Sequence, residues 1–105
     1  GDDGLTLPIL SVGGTGVISV VSHVAGQDMN DMIAAFEKGN NKKATQLHQK
    51  LAEITKAMFI TTNPIPVKYA ARKIGLPAGV FNLPMCEPSQ DEAAYIDKAL
   101  AEYLQ

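Results

Sequence analysis

Apolar positions divide the first forty residues into three patterns. Residues 5–12 are mostly apolar with Pro8 among them, which predicts one to two helical turns ending at the glycines 13–14. Residues 16–22 are rich in β-branched side chains and almost continuously apolar, so they predict a strand buried on both faces. Residues 27–38 return to a helical period and predict a helix whose apolar face holds Met29, Met32, Ile33 and Phe36.

The rest of the chain predicts three more helices. Asn40 is a candidate cap for a helix that continues to residue 58, with one apolar seam. A second helix is predicted from Pro66 to Ile74, and a third over residues 91–103. The third follows a capping-box sequence, in which Ser89 bonds forward and a glutamate bonds back. The seam of the first helix consists of Ala44, Leu47, Leu51, Ile54 and Met58.

The predicted order is mostly α-helical with one clear strand. A single strand cannot form a sheet, so residues 16–22 need parallel neighbours that the chain does not supply. The chain also opens on Gly1-Asp2-Asp3, without methionine, like a turn entered from an upstream segment. Both features lead us to expect a piece of a longer α/β protein.

Composition excludes several classes of function. The chain has 105 residues and a net charge of −2, which gives no basic excess to hold a nucleic-acid backbone. Its one cysteine, Cys86, cannot form an internal disulfide, and a single cysteine suits the reducing cytoplasm. No apolar run reaches the roughly 20 residues that span a bilayer. We therefore expect a cytoplasmic protein that binds neither nucleic acid nor membrane.

Each residue that could take part in binding or catalysis is better interpreted as a structural residue. Residues 13–16, Gly-Gly-Thr-Gly, precede the predicted strand, whereas phosphate loops follow a strand, so we interpret them as a tight turn. Asp2 and Asp3 suit a turn or a helix cap. His23 and His48 are too far apart for metal-ligand spacing. These residues predict no metal site and no cofactor.

Two further residues resemble nucleophiles only in isolation. Lys68 could suggest a Schiff-base lysine, but it falls in the first turns of an amphipathic helix and is predicted to be a surface lysine. Cys86 has no nearby histidine and is interpreted as a buried or inert thiol. The methionines are interpreted as core residues that fill gaps.

Two motifs resemble the dihydrodipicolinate synthase family. One combines Gly1-Asp2-Asp3 with the sequence Gly-Gly-Thr-Gly-Val-Ile-Ser-Val at residues 13–20, and the other is Thr-Asn-Pro-Ile-Pro-Val-Lys at residues 62–68. Residues 75–77 and 83–84 also match the family. The likeness covers essentially the whole chain, and the two motifs at this separation are more specific than either alone.

The resemblance implies a fold and a division into domains. Residues 1–39 would form the end of a (β/α)8 barrel: the loop after strand seven, strand eight and its helix. Residues 40–105 would form an appended carboxyl-terminal helical domain. The fold class expected from the resemblance is therefore α/β, the end of a TIM barrel plus helices.

The resemblance also implies an activity. The family consists of class I, Schiff-base lyases that condense pyruvate with aspartate semialdehyde in lysine and diaminopimelate biosynthesis. The catalytic lysine, tyrosine and threonine would lie upstream, so no catalytic residue is predicted in this chain and it is expected to be inactive alone. The substrate-binding residues that carry over are Ile18, through its backbone, and Gly1 and Asp2 near the second substrate. Expected partners are the two substrates, the upstream part of the same protein and further copies in a homotetramer.

Two alternatives stay open from the sequence. N-acetylneuraminate lyase and related sugar-acid aldolases share the fold and the Schiff-base chemistry, and the residues that select the aldehyde are mostly outside the chain. A non-catalytic helical interaction domain would instead use the helical seams to bind a partner. The two motifs favour the dihydrodipicolinate synthase family over both alternatives.

Overall fold

Helices make up nearly all the regular structure. The computed structural model describes residues 1–105 and contains a short 3-10 turn, five α-helices and no strand. In chain order these are the 3-10 turn Asp3–Leu5, α1 (Thr6–Ser11), α2 (Ser22–Glu37), α3 (Asn41–Met58), α4 (Ile65–Lys73) and α5 (Gln90–Tyr103).

Local signals define the helix ends as predicted. The Asn40 side chain accepts a hydrogen bond from the Lys43 amide at 3.2 Å and caps α3. Gly39 ends the preceding helix with a φ of +77°, a conformation that costs glycine little. The boundaries of α3 and α4 lie within about one residue of those predicted.

The start of α5 is a complete capping box. The Glu92 amide donates to Ser89 Oγ at 3.2 Å, and the Ser89 amide donates to Glu92 Oε2 at 3.1 Å. Two amides that the helix leaves without partners are thereby satisfied. The predicted cap is confirmed.

We expect Ser89→Ala to lower the free energy of unfolding by about 1 kcal/mol, because the Glu92 amide loses its acceptor. Urea unfolding followed by circular dichroism measures the change. Ser11→Ala is the matched control, since Ser11 Oγ donates to the Pro8 carbonyl at the exposed end of α1. An equal effect of the two substitutions would contradict a specific role for the cap.

The predicted strand at residues 16–22 is wrong for this chain. Gly14 to Ser19 belong to no helix or strand, and Ser22 already lies in α2. His23, expected to end the strand, lies in the first turn of α2. The physical reason is the absence of partners: no other segment offers a β ladder, so the amides of residues 15–19 make no backbone hydrogen bond. An apolar β-branched sequence does not form a strand without a neighbouring strand.

Helix α2 begins five residues before the predicted start at residue 27. The helix is interrupted at Ala25, where φ is −136° and ψ is 32°. The interruption separates a first turn at residues 22–24 from the amphipathic part that the periodicity predicted. Apolar spacing identified the second part only, because the first turn carries Ser22 and His23, both exposed.

One hydrophobic core joins helices α2 to α5. The predicted faces of α2 and α3 pack against each other, and α5 packs on α3 and α4. Met29, Met32 and Met58 are buried, as expected for residues that fill gaps, whereas Met85 is half-buried. The core cluster contains Val21, Ala25, Met29, Met32, Leu51, Ile54, Ala57, Met58, Val67, Ala70, Ile96, Ala99 and Leu100.

A polar contact among Asp28, Lys50 and Tyr103 fastens the last helix to α2 and α3. Asp28 Oδ2 accepts from both Lys50 Nζ and Tyr103 Oη, each at 2.7 Å. Lys50 Nζ also lies 5.4 Å from the centre of the Tyr103 ring. The hydrogen bond from Lys50 lowers the pKa of Asp28, whereas burial and the Asp28 carboxylate raise the pKa of Tyr103.

This contact should make stability depend on pH at both extremes. Because the pKa of Asp28 is lowered on folding, its contribution is present above the unfolded pKa and is lost as pH falls through the folded pKa. Because the pKa of Tyr103 is raised, its contribution is complete below the unfolded value of about 10 and declines as pH rises above it.

We expect Tyr103→Phe to cost about 1 kcal/mol at pH 7 and to reduce the loss of stability above pH ~10, because no phenol remains to ionise. Urea unfolding between pH 7 and pH ~11 measures both effects. Tyr95→Phe is the matched control, since its hydroxyl makes only a 3.4 Å contact with Glu53. An alkaline slope unchanged by Tyr103→Phe would contradict this explanation.

Candidate functional site

The Asp3 carboxylate organises the segment that contains the Gly-Val-Ile-Ser-Val motif. Asp3 is 3% exposed. Its Oδ1 accepts a short hydrogen bond from Ser19 Oγ, and its Oδ2 accepts from the Val20 amide at 3.0 Å and the Val21 amide at 3.4 Å. Thr6 Oγ1 donates to the Asp3 carbonyl at 2.9 Å, which fixes the backbone of the acid. A buried carboxylate is thereby fully hydrogen-bonded to the end of the segment.

Ser19 links this carboxylate to the start of α2. Its Oγ donates to Asp3 and accepts from the Ser22 amide at 2.9 Å, and Ser22 Oγ donates to the Ser19 carbonyl at 3.3 Å. The negative carboxylate also lies against the amino terminus of α2, where the helix dipole favours an anion. The sequence segment around residue 1 and the segment after Ile18 are therefore held together.

The structure places the three predicted substrate-binding residues at the surface. Ile18 is 91% exposed, just before the Asp3-bound residues. Gly1 and Asp2 are exposed, and both line a cleft of about 550 Å³ with Thr55, Lys56 and Phe59. Asp2 Oδ1 accepts from the Gly4 amide at 3.1 Å and caps the 3-10 turn. Ile18 lies outside the lining of that cleft.

Sequence reasoning missed the role of Asp3. The sequence predicts a turn or a helix cap for the pair Asp2-Asp3, and this prediction is correct for Asp2. Asp3 instead bonds residues 16 or more positions away, and no local spacing in the sequence identifies such a contact. Thr6, three residues after Asp3, bonds the Asp3 carbonyl and gives no signal for the role of its carboxylate.

The glycines at 13–14 form a turn and not a phosphate loop. Gly13 has a φ of +103°, and the Gly14 amide donates to the Ile9 carbonyl at 2.9 Å. A Cβ on Gly14 would lie 2.9 Å from the Ile9 oxygen, too close for any other residue without a shift. The prediction of a tight turn is confirmed, although the turn leads into a segment without a strand.

A second cleft, of about 370 Å³, lies beside the turn that starts α2. It is lined by Val20 and His23 on one side and by Asn63 and Lys68 on the other. Lys68, predicted to be a surface residue, is half-buried, and its Nζ donates to the Val80 carbonyl at 2.5 Å. This hydrogen bond attaches Lys68 to the loop that follows α4.

The other candidate residues are dispersed. His23 is exposed with Nδ1 2.9 Å from the Val20 carbonyl, and His48 lines a small cavity with Met29 and Met32. The Cys86 thiol is exposed, so its interpretation as a buried thiol is wrong. No three histidine, cysteine, aspartate or glutamate side chains lie close enough together to hold a metal ion. None of the helices is sufficiently long and apolar to cross a membrane.

Comparison with known proteins gives one consistent result. The model of the dihydrodipicolinate synthetase family matches residues 1–103. The chain is 50% identical over 102 residues to the 4-hydroxy-tetrahydrodipicolinate synthase of Moorella thermoacetica, covering 97% of this chain and 35% of that protein. It is 47% identical over 102 residues to the synthase of the same name from Bacillus subtilis, again covering 97% of this chain and 35% of that protein.

Solved structures agree with the sequence matches. The crystal structure of dihydrodipicolinate synthase from Thermotoga maritima superimposes with a TM-score of 0.93 at 38% identity, covering 98% of this chain and 35% of that one. The chain thus spans about a third of the length of the relatives it matches. Its helices have the arrangement found in the corresponding third of those proteins.

Proposed function

This chain belongs to the dihydrodipicolinate synthetase family, and on that premise we propose that it supplies the closing part of a (β/α)8 barrel together with the helices appended to it. Residues 1–39 would belong to the barrel and residues 40–105 to the appended helical domain. The turn at Gly39, between α2 and α3, supports a boundary at this point. The match to about a third of each relative supports the view that further barrel strands come from outside this chain.

The observation that carries the proposal is the state of residues 15–19. Their amides make no backbone hydrogen bond, Ile18 is 91% exposed, and the following residues are fixed by the buried Asp3 carboxylate. A segment with free amides and apolar side chains on a fixed anchor is suited to pairing with strands on both sides. In a closed barrel it would become the eighth strand.

The activity proposed for the assembled protein is that of the named relatives. It would condense pyruvate with aspartate semialdehyde through a Schiff base, as a class I lyase in lysine and diaminopimelate biosynthesis. The lysine, tyrosine and threonine of the reaction would lie upstream of Gly1. Barrel active sites lie at the carboxyl ends of the strands, where the Ile18 backbone would face pyruvate and Gly1 and Asp2 would lie near the second substrate. A cytoplasmic homotetramer is the assembly proposed for this enzyme.

A chimera tests the activity. This chain replaces the matching third of the Bacillus subtilis synthase, to which it is 47% identical. Pyruvate-dependent consumption of aspartate semialdehyde within about tenfold of the parent rate would support the proposal. A folded chimera without this activity would refute the enzyme assignment. Membership of the synthetase family favours an enzyme, either the synthase or a related sugar-acid aldolase, over an independent helical interaction domain.

We expect the isolated chain to form no Schiff base with pyruvate. A Schiff-base lysine needs a desolvated amine of lowered pKa, whereas Lys68 Nζ donates to a carbonyl and Lys50 Nζ pairs with Asp28. Incubation with pyruvate and borohydride, followed by intact-mass measurement, should show an unmodified chain. Stoichiometric trapping at one lysine would place the catalytic residue within this chain and contradict the proposal.

A further inference from the structure

Residues 76–88, between α4 and α5, form a loop without helix or strand. Within the loop, Ala78 donates to the Leu76 carbonyl and Met85 to the Asn82 carbonyl, each at 2.9 Å. None of its apolar side chains is fully buried, and Val80 and Leu83 are 77% and 91% exposed. A loop of this length in a compact domain commonly has a function, and its position must depend on other contacts.

Two cations on α4 provide those contacts. Lys68 Nζ donates to the Val80 carbonyl at 2.5 Å and lies 5.1 Å from the centre of the Phe81 ring. Arg72, one helical turn later, lies 5.2 Å from the same ring, and its Nη2 donates to Glu87 Oε2 at 2.5 Å. A charge-assisted hydrogen bond, an ion pair and two cation–π contacts thus attach the loop to one face of α4.

The same lysine forms part of the wall of the 370 Å³ cleft. Ala78 of the loop lies on that wall, and Val20 and His23 line the cleft from the turn after Ile18. Val20 is fixed by the Asp3 carboxylate, whereas Ala78 is the one lining residue that belongs to the loop. Movement of the loop that displaces Ala78 would change the width of the cleft beside the proposed barrel face.

We propose that Lys68 and Arg72 are positioning residues, which hold the loop of residues 76–88 against this cleft. Because the cleft lies at the carboxyl end of the proposed eighth strand, where barrel active sites lie, its width should influence how the aldehyde substrate enters and binds. Only the effect on the aldehyde substrate rests on the proposed function, whereas the attachment of the loop to α4 does not depend on it. Neither cation touches a reacting atom. Their action is to keep Phe81 and Val80 against α4.

Limited proteolysis of the 105-residue chain tests the positioning directly. Chymotrypsin cleaves after phenylalanine, and the Phe81–Asn82 bond is accessible when the ring leaves the two cations. We expect Lys68→Met, which keeps the side-chain length without the charge, to raise the cleavage rate at Phe81 about tenfold. Lys68→Arg should keep the rate within about twofold of the unsubstituted chain, because it retains a charged donor.

Lys73→Met is the matched control on the same helix. Lys73 contacts Tyr69 and Asp97 and makes none of the hydrogen bonds, ion pairs or cation–π contacts that attach the loop, so its replacement should leave cleavage at Phe81 unchanged. Circular dichroism confirms that each variant is folded. Equal cleavage of Lys68→Met and the unsubstituted chain, both folded, would overturn the positioning role. Phe81→Leu is a second variant, in which faster loop cleavage at Met85 supports the proposal and an unchanged rate opposes it.

Kinetics of the chimera separate this inference from the proposed function. Lys68→Met should raise the KM for aspartate semialdehyde about fivefold with little change in kcat, and pyruvate trapping by borohydride should be unchanged. An active chimera whose KM does not respond to Lys68→Met would refute the link between loop and cleft. An inactive unsubstituted chimera would refute the proposed function, while the proteolysis result would still decide whether the cations hold the loop.

Discussion

Replacing Asp3 with alanine should lower the free energy of unfolding of this chain by about 3 kcal/mol, the largest effect expected of any single polar side chain here. The substitution removes the acceptor for Ser19 Oγ and for the amides of Val20 and Val21. Because Asp3 and Val21 are buried, the donors left behind are poorly reached by water. Urea unfolding at pH 7 measures the loss.

Asp2→Ala is the control for Asp3→Ala, since the two carboxylates are adjacent in sequence. Asp2 is exposed and accepts one hydrogen bond, from the Gly4 amide, so its loss should cost about 1 kcal/mol or less. Asp3→Asn keeps an oxygen that can accept from the Val20 and Val21 amides, and Ser19 Oγ can accept from the new amide group, so this substitution should cost less than alanine. Equal effects at positions 2 and 3 would contradict the central role of Asp3.

Replacing Ile18 with proline should abolish the activity of the chimera, with a loss of at least about 100-fold. Proline removes the amide that a central strand donates to its neighbour, so the barrel could not close at this position. Ile18→Val keeps that amide and a β-branched side chain, and should retain activity within about threefold. The measurement is pyruvate-dependent consumption of aspartate semialdehyde.

The same proline should have little effect on the isolated chain. The Ile18 amide has no backbone partner there and the side chain is 91% exposed, so the free energy of unfolding should change by about 0.5 kcal/mol or less. We therefore expect Ile18→Pro to leave the stability of the isolated chain nearly unchanged and to abolish the activity of the chimera. Full activity of the Ile18→Pro chimera would mean that this segment is not a central strand.

Short-range signals predicted the helices well. The seam from Ala44 to Met58, the Asn40 cap and the Ser89 capping box each depend on residues within about four positions, so the sequence contains all the information needed. The family resemblance likewise depended on short motifs, at residues 1–3, 13–20 and 62–68.

Long-range contacts could not be predicted in this way. Val17, Ile18 and Val20 have strand propensity, but a strand exists only with a hydrogen-bonded partner, and none is present in the chain. The Asp3 contacts and the attachment of the 76–88 loop to α4 depend on how distant elements pack. The spacing of apolar residues does not predict that Asp3 lies beside Val20, or that Lys68 lies against Phe81.

Hydrogen exchange at Gly16, Val17 and Ile18 tests most directly whether residues 15–19 become a paired barrel strand. In the isolated chain these amides make no backbone hydrogen bond, so they should exchange at close to the unprotected rate. In the active chimera, pairing with strands on both sides should slow their exchange by about 100-fold or more. Equally fast exchange in the isolated chain and in an active chimera would contradict the account.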